Sequence, residues 1–127
     1  MTRDELAEFD DSVIETVAAE HDIAPAALTD LVRTHQSNVR DLPGVEDIVY
    51  EWRNYFHQDP LVGRTEAAYY LALPAHVWDE FAEDMGLSSA ERAALLAVHE
   101  RQARHADGAG VELDRLETDT ALVLVRP

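Results

Sequence analysis

Ala121-Leu122-Val123-Leu124-Val125 is a run of five aliphatic residues. It is too short for a buried helix and has the composition of a strand covered on both faces. A lone strand cannot satisfy its own backbone, so this run obliges the chain to supply a partner. Three partners are open. One is the segment 111–116, where Val111 and Leu113 alternate with acids; another is the run Ala68-Tyr69-Tyr70-Leu71-Ala72-Leu73; the third is the same strand of a second copy. An uncovered apolar edge invites aggregation, which pairing removes, so a homodimer through the C-terminal strand is expected.

Most of the remaining chain has helical periodicity. Thr2-x-x-Glu5 is a capping-box pattern, and Leu6, Phe9, Val13 and Val17 follow on one face, predicting a first helix to about His21. Pro25 suits the first turn of a second helix, with Leu28, Leu31, Val32 and Val39 as its stripe and Pro43-Gly44 as its end. Val45, Ile48, Val49, Trp52 and Phe56 mark a third helix, closed by Asp59-Pro60. Thr65 offers a cap for a short helix over 68–73, but an aromatic and aliphatic run stopping at Pro74 reads better as a strand. Val77, Trp78, Phe81 and Met85 predict a fourth helix terminated by Gly86. Ser88-x-x-Glu91 opens a fifth, which runs to about His105 before the Gly108-Ala109-Gly110 break. The expected fold is α+β and predominantly helical: one globular domain over 1–127, with five helices on a small antiparallel sheet that includes the C-terminal strand.

Charge narrows the setting. The chain has 26 acidic side chains against 10 basic ones, all arginine, for a formal net charge of −16. On a folded surface of about 6,800 Å² that is one uncompensated charge per roughly 420 Å². Such a surface repels itself in dilute buffer and is screened where the Debye length falls to about 3 Å at 1 M salt. The absence of Lys and Cys, with abundant Ala and little Ile, resembles cytosolic proteins of salt-loving archaea. A cytoplasmic protein of a halophilic cell is therefore expected. No apolar run approaches the ~18 residues of a membrane span, so no membrane association is expected. Without Cys there is no thiolate nucleophile, disulfide or zinc–thiolate site.

Val17-Ala18-Ala19-Glu20-His21-Asp22-Ile23-Ala24-Pro25-Ala26-Ala27-Leu28-Thr29-Asp30-Leu31-Val32-Arg33 resembles the helix-turn-helix of DNA-binding regulators, with Asp22 where that family usually has Gly. The resemblance implies base and phosphate contacts from Thr29, Arg33 and Ser37 on the outward face of the second helix. An ordinary pair of antiparallel helices has the same pattern, and no local basic patch accompanies it. Nucleic acid is thus the less favoured partner.

A second set of residues faces inward. At 100° per residue His35 falls within the stripe of the second helix, His99 between Leu95 and Leu96 on the fifth, and Asp10 among Leu6, Val13, Ile14 and Val17. Should those faces meet, Asp10, His35 and His99 could do acid–base chemistry or hold a metal; core histidines with structural roles read the same way. Neither Glu-x-x-His nor His-x-x-x-His occurs, so no metal site and no cofactor are expected. There is no Gly-x-Ser-x-Gly elbow, Walker loop or dinucleotide fingerprint. An enzyme is the less favoured class.

The third set lies on the third helix, where Trp52 and Phe56 face the core while Tyr50, Asn54 and His57 project oppositely, with Arg53 beside them. Tyr and Arg are common interface anchors, although a helix buried on both faces would use the same residues. The leading expectation is a non-enzymatic interaction or regulatory protein presenting Tyr50, Arg53, Asn54 and His57, together with the strand edge, to an unidentified protein partner.

Overall fold

The computed structural model describes residues 3–41, 43–105, 111 and 113–127. Among them are five α-helices: α1 (Asp11–Glu20), α2 (Pro25–Asp41), α3 (Val45–Tyr55), α4 (Ala75–Met85) and α5 (Ser89–Arg104). Three strands, β1 (Leu61–Arg64), β2 (Ala68–Leu73) and β3 (Thr120–Val125), form one antiparallel sheet in the order β1-β2-β3. The α+β architecture follows from the patterning: helical stripes of period 3.6 bury one face each, and two apolar runs bury both faces.

The central strand is β2. Its neighbour β3 pairs with it in full register from Ala68↔Val125 to Leu73↔Thr120. Of the three partners open to the C-terminal run, the chain thus uses 68–73. All six residues of β2 are buried, because successive side chains go to opposite faces and both are covered. The Tyr69 hydroxyl donates to Glu46 at the start of α3, while Tyr70, pointing the other way, donates to Glu8 of the N-terminal segment.

Several boundaries follow the local chemistry. Ser88 and Glu91 form both bonds of a capping box at 2.8 and 3.1 Å, and Gly86 ends α4 in the left-handed conformation at φ 65°. The first helix is a correction: it starts at Asp11, not near Thr2. Residues 5–9 form turns instead, held by the Leu6 and Ala7 amides donating to Asp4 at 2.8 and 3.0 Å. Thr2 and the 108–110 break lie outside the described residues.

Two further corrections concern strands. The segment offered as a pairing partner at 111–116 gives a 3₁₀ turn over Leu113–Glu117. Its place at the sheet is taken by β1, to which the sequence pattern assigns no element. Thr65 makes the hairpin: its hydroxyl accepts from the amides of Ala67 and Ala68 at 3.1 and 3.0 Å, so it caps a turn and not a helix. The β1–β2 register slips between Leu61 and Gly63, a β-bulge.

The edge of β3, on which the homodimer expectation rests, is engaged by the chain's own side chains. Four of its outward backbone groups are engaged within the chain, by side chains from three helices. Gln36 on α2 donates to the Val123 carbonyl at 2.7 Å and accepts from the Val125 amide at 2.9 Å. His99 Nδ1 on α5 accepts from the Val123 amide at 2.9 Å, and the Trp78 indole on α4 donates to the Ala121 carbonyl at 3.1 Å. The residues Ala121–Val125 are buried to within 1%. Much of the apolar edge is thus covered by the chain's own helices.

Candidate partner-binding groove

The third helix carries the most accessible aromatic surface. Tyr50 and Tyr55 are 71% and 77% exposed, the two large hydrophobics that stand out among the described residues. The wheel dictates this: Val45 and Val49 are buried, Ile48 and Trp52 half-buried, and Tyr50, Arg53 and Asn54 face out. Asn54 donates back to the Tyr50 carbonyl at 3.0 Å, fixing its amide on the exposed ridge.

All four residues read from the sequence as partner-binding meet here. Tyr50, Arg53, Asn54 and His57 line one groove of about 670 Å³ between α3 and the β1–β2 hairpin, with Glu46 on the α3 wall and Arg64 and Tyr69 on the far one. On the other side of the same ridge, Tyr50, Asn54, Tyr55 and Phe56 border a second hollow of about 550 Å³ against His76 and Glu80 of α4. Tyr50 therefore projects from the ridge with a depression on each flank.

Arg53 is pre-set in this groove, its guanidinium gripping Asp59 with Nε at 3.1 Å and NH2 at 2.9 Å. Partial burial pushes the Asp59 carboxyl upward, but hydrogen bonds from Arg53 and the Leu61 amide outweigh it and hold the carboxyl below its ordinary range. Burial, then the bond to Glu46, pushes the Tyr69 hydroxyl upward, so it stays a donor. Arg64 and Tyr69 were missed by the sequence reading. Both depend on β1, a four-residue strand too short to announce itself, which pairs Arg64 with Tyr69 across the hairpin.

The inward-facing set divides. His35 and His99 do meet, with ring centroids 5.2 Å apart, inside a cluster with Phe9, Trp78 and Phe81. Asp10 does not join them. Because α1 begins one residue later, Asp10 sits exposed at its N-cap, where its amide donates to Gln102 at 3.0 Å. Burial lowers His35 to about 3, and burial followed by the neighbouring His35 holds His99 well below its ordinary value. Both rings are neutral, and neither nitrogen of His35 has a hydrogen-bond partner among the described residues. The cavity beside His35, lined also by Asn38, Phe81, Asp84 and Met85, is only about 80 Å³. Among the described residues no group of three or more His, Cys, Asp or Glu is placed to hold a metal ion.

Two of the three residues implied by the helix-turn-helix resemblance are occupied. Arg33 pairs with Glu5 at 2.8 Å and Asp4 at 3.5 Å, and the Ser37 hydroxyl meets the same Glu5 at 3.5 Å. Thr29 remains half-buried on the same helix. The N-terminal segment thus lays two carboxylates along the face that would approach phosphates.

No helix among the described residues is long and apolar enough to cross a membrane. No curated relative and no solved structure matches the chain. One family model does, over residues 7–126, nearly the full length described above. The chain belongs to that family, described as Domain of unknown function (DUF8048).

Proposed function

We propose that the chain is a non-enzymatic interaction module of a halophilic cytoplasm, docking a protein partner in the groove beside α3. The observation that carries this reading is the convergence of Tyr50, Arg53, Asn54 and His57 on one 670 Å³ groove around an aromatic that is 71% exposed. Interface anchors are aromatic and arginine side chains set in preformed depressions, which is this arrangement. Two comparisons support it over the alternatives. Acid–base chemistry needs titrating groups within reach of a substrate, whereas His35 and His99 are sealed and Asp10 is elsewhere. DNA binding needs free cations, whereas Arg33 is held by Glu5.

The test is affinity capture at high salt from native lysate, using wild type and the double variant Tyr50→Ala, Asn54→Arg, with and without nuclease. The expected result is a protein retained by wild type, insensitive to nuclease and lost with the double variant. Recovery of nucleic acid that nuclease abolishes and the α3 changes leave intact would replace this reading with DNA binding through Thr29, Arg33 and Ser37.

A further inference from the structure

The two edges of the sheet are treated differently. That of β3 is closed by Gln36, His99 and Trp78. On the other side, β1 is the outermost strand, and no described element pairs along its far edge. A shallow hollow of about 310 Å³ follows this strand over Arg53, Asp59, Leu61, Val62, Gly63 and Arg64 and adjoins the α3 groove through Arg53, Asp59 and Arg64.

Arg64 stands at the end of that strand and is exposed. Nine of the ten arginines lie within 4.0 Å of a carboxylate. Among the described residues Arg64 is the exception, in a chain with 26 acids. Its neighbours cannot supply one cheaply. Glu46 is engaged by Arg126 at 3.2 Å and by the Tyr69 hydroxyl, and Asp59 by Arg53. An unpaired guanidinium is a preformed fork for an incoming carboxylate.

We propose that the partner's docking segment is an extended peptide that adds to the open edge of β1 and sets a carboxylate on Arg64; this deepens the docking reading and rests on it. Strand addition takes its affinity from main-chain hydrogen bonds and its specificity from side-chain contacts at alternate positions. Four residues of β1 with a bulge admit only a short segment, which also protects the edge from indiscriminate pairing. The charge on Arg64 then selects the segment, and the Tyr50 ridge flanks it.

The probe is a phage-displayed library of random heptapeptides, selected on the full chain in about 1 M KCl, where long-range repulsion from the acidic surface is screened. The expected outcome is enrichment of Asp or Glu at one position, with binding falling about tenfold or more on Arg64→Ala. Arg64→Glu should shift the enriched residue to Lys or Arg. N-methylation of alternate peptide amides should cost a similar factor, as a strand pairing requires and a side-chain contact alone does not. Failure to select any acidic consensus, or acidic peptides indifferent to both Arg64 variants, overturns the inference. If the selected peptides ignore Arg64 yet weaken with Tyr50→Ala, the docking reading stands without it; if they ignore both, the two fall together.

Discussion

His35 and His99 are the same residue type, buried to the same degree and 5.2 Å apart, yet the backbone uses only one of them. His99 Nδ1 accepts from the Val123 amide, so its proton resides on Nε2. His35 makes no hydrogen bond among the described residues and serves as an aromatic plate, stacked on Trp78 at 5.1 Å. Replacing a buried group that lacks partners with an apolar one of similar shape costs little, whereas stranding a buried amide costs about 1–3 kcal/mol. His35→Phe should therefore be neutral or stabilising at pH 8, and His99→Phe destabilising by about 1–3 kcal/mol in urea unfolding. Acid distinguishes them from ordinary core residues. Burial holds His35 near 3 against 6.5 in the unfolded chain, so below about pH 6.5 the unfolded state binds the extra proton and stability falls as pH drops toward 3. Each such histidine adds a slope of roughly 1.4 kcal/mol per pH unit in that window. His35→Phe should flatten the acid limb between pH 6 and 4 by about that amount per unit. An unchanged slope would mean that the ring is hydrated in the native state.

The elements were legible in the sequence to the degree that each carried its own punctuation. Capping residues and apolar stripes placed α2 to α5 within a few residues, and two β-rich runs placed β2 and β3. The failures lie where long-range contacts override local signal. Leu6 and Phe9 have helical spacing with Val13, yet Glu5 and Glu8 are drawn off to Arg33 and Tyr70, and the chain turns there instead. The strand β1 has four residues and a bulge, so alternation has no length in which to show. The outward face of α3 was readable from one helix wheel, but the position of Arg64 required a hairpin that only tertiary structure reveals. Gln36 was invisible for the same reason: one amide side chain on α2 replaces a missing fourth strand along β3. Gln36→Leu strands both a buried carbonyl and a buried amide, which should cost about 2–5 kcal/mol. It also reopens an apolar edge, so the variant should gain mass by light scattering as concentration rises while wild type does not. A destabilised variant that remains at the wild-type mass would show that Gln36 is not what closes the edge.

Over the whole molecule, a net charge of −16 is spread on 6885 Å², roughly one charge per 430 Å². Nine of the ten arginines relieve part of this through ion pairs that are mostly exposed, and exposed pairs contribute about 0–1 kcal/mol each. Salt weakens those pairs and the self-repulsion alike, but repulsion among the excess acids is the larger quantity. Stability should therefore rise with salt: from about 0.1 to about 3 M KCl, relief of ~2 kcal/mol would lift Tm by roughly 8 °C. A Tm that falls over this range would assign the ion pairs the larger role. At this scale, too, the molecule has a direction. Its β3 edge, α2 face and histidine cluster are closed by its own residues, whereas the α3 ridge and β1 edge remain open. The measurement that tests this most directly places photoreactive benzoylphenylalanine at position 50, at 55 or, as a control outside the groove, at Ser89, and irradiates living cells. The account predicts one and the same protein crosslinked from positions 50 and 55 and absent from 89; an identical pattern from all three positions, or none from the ridge, would contradict it.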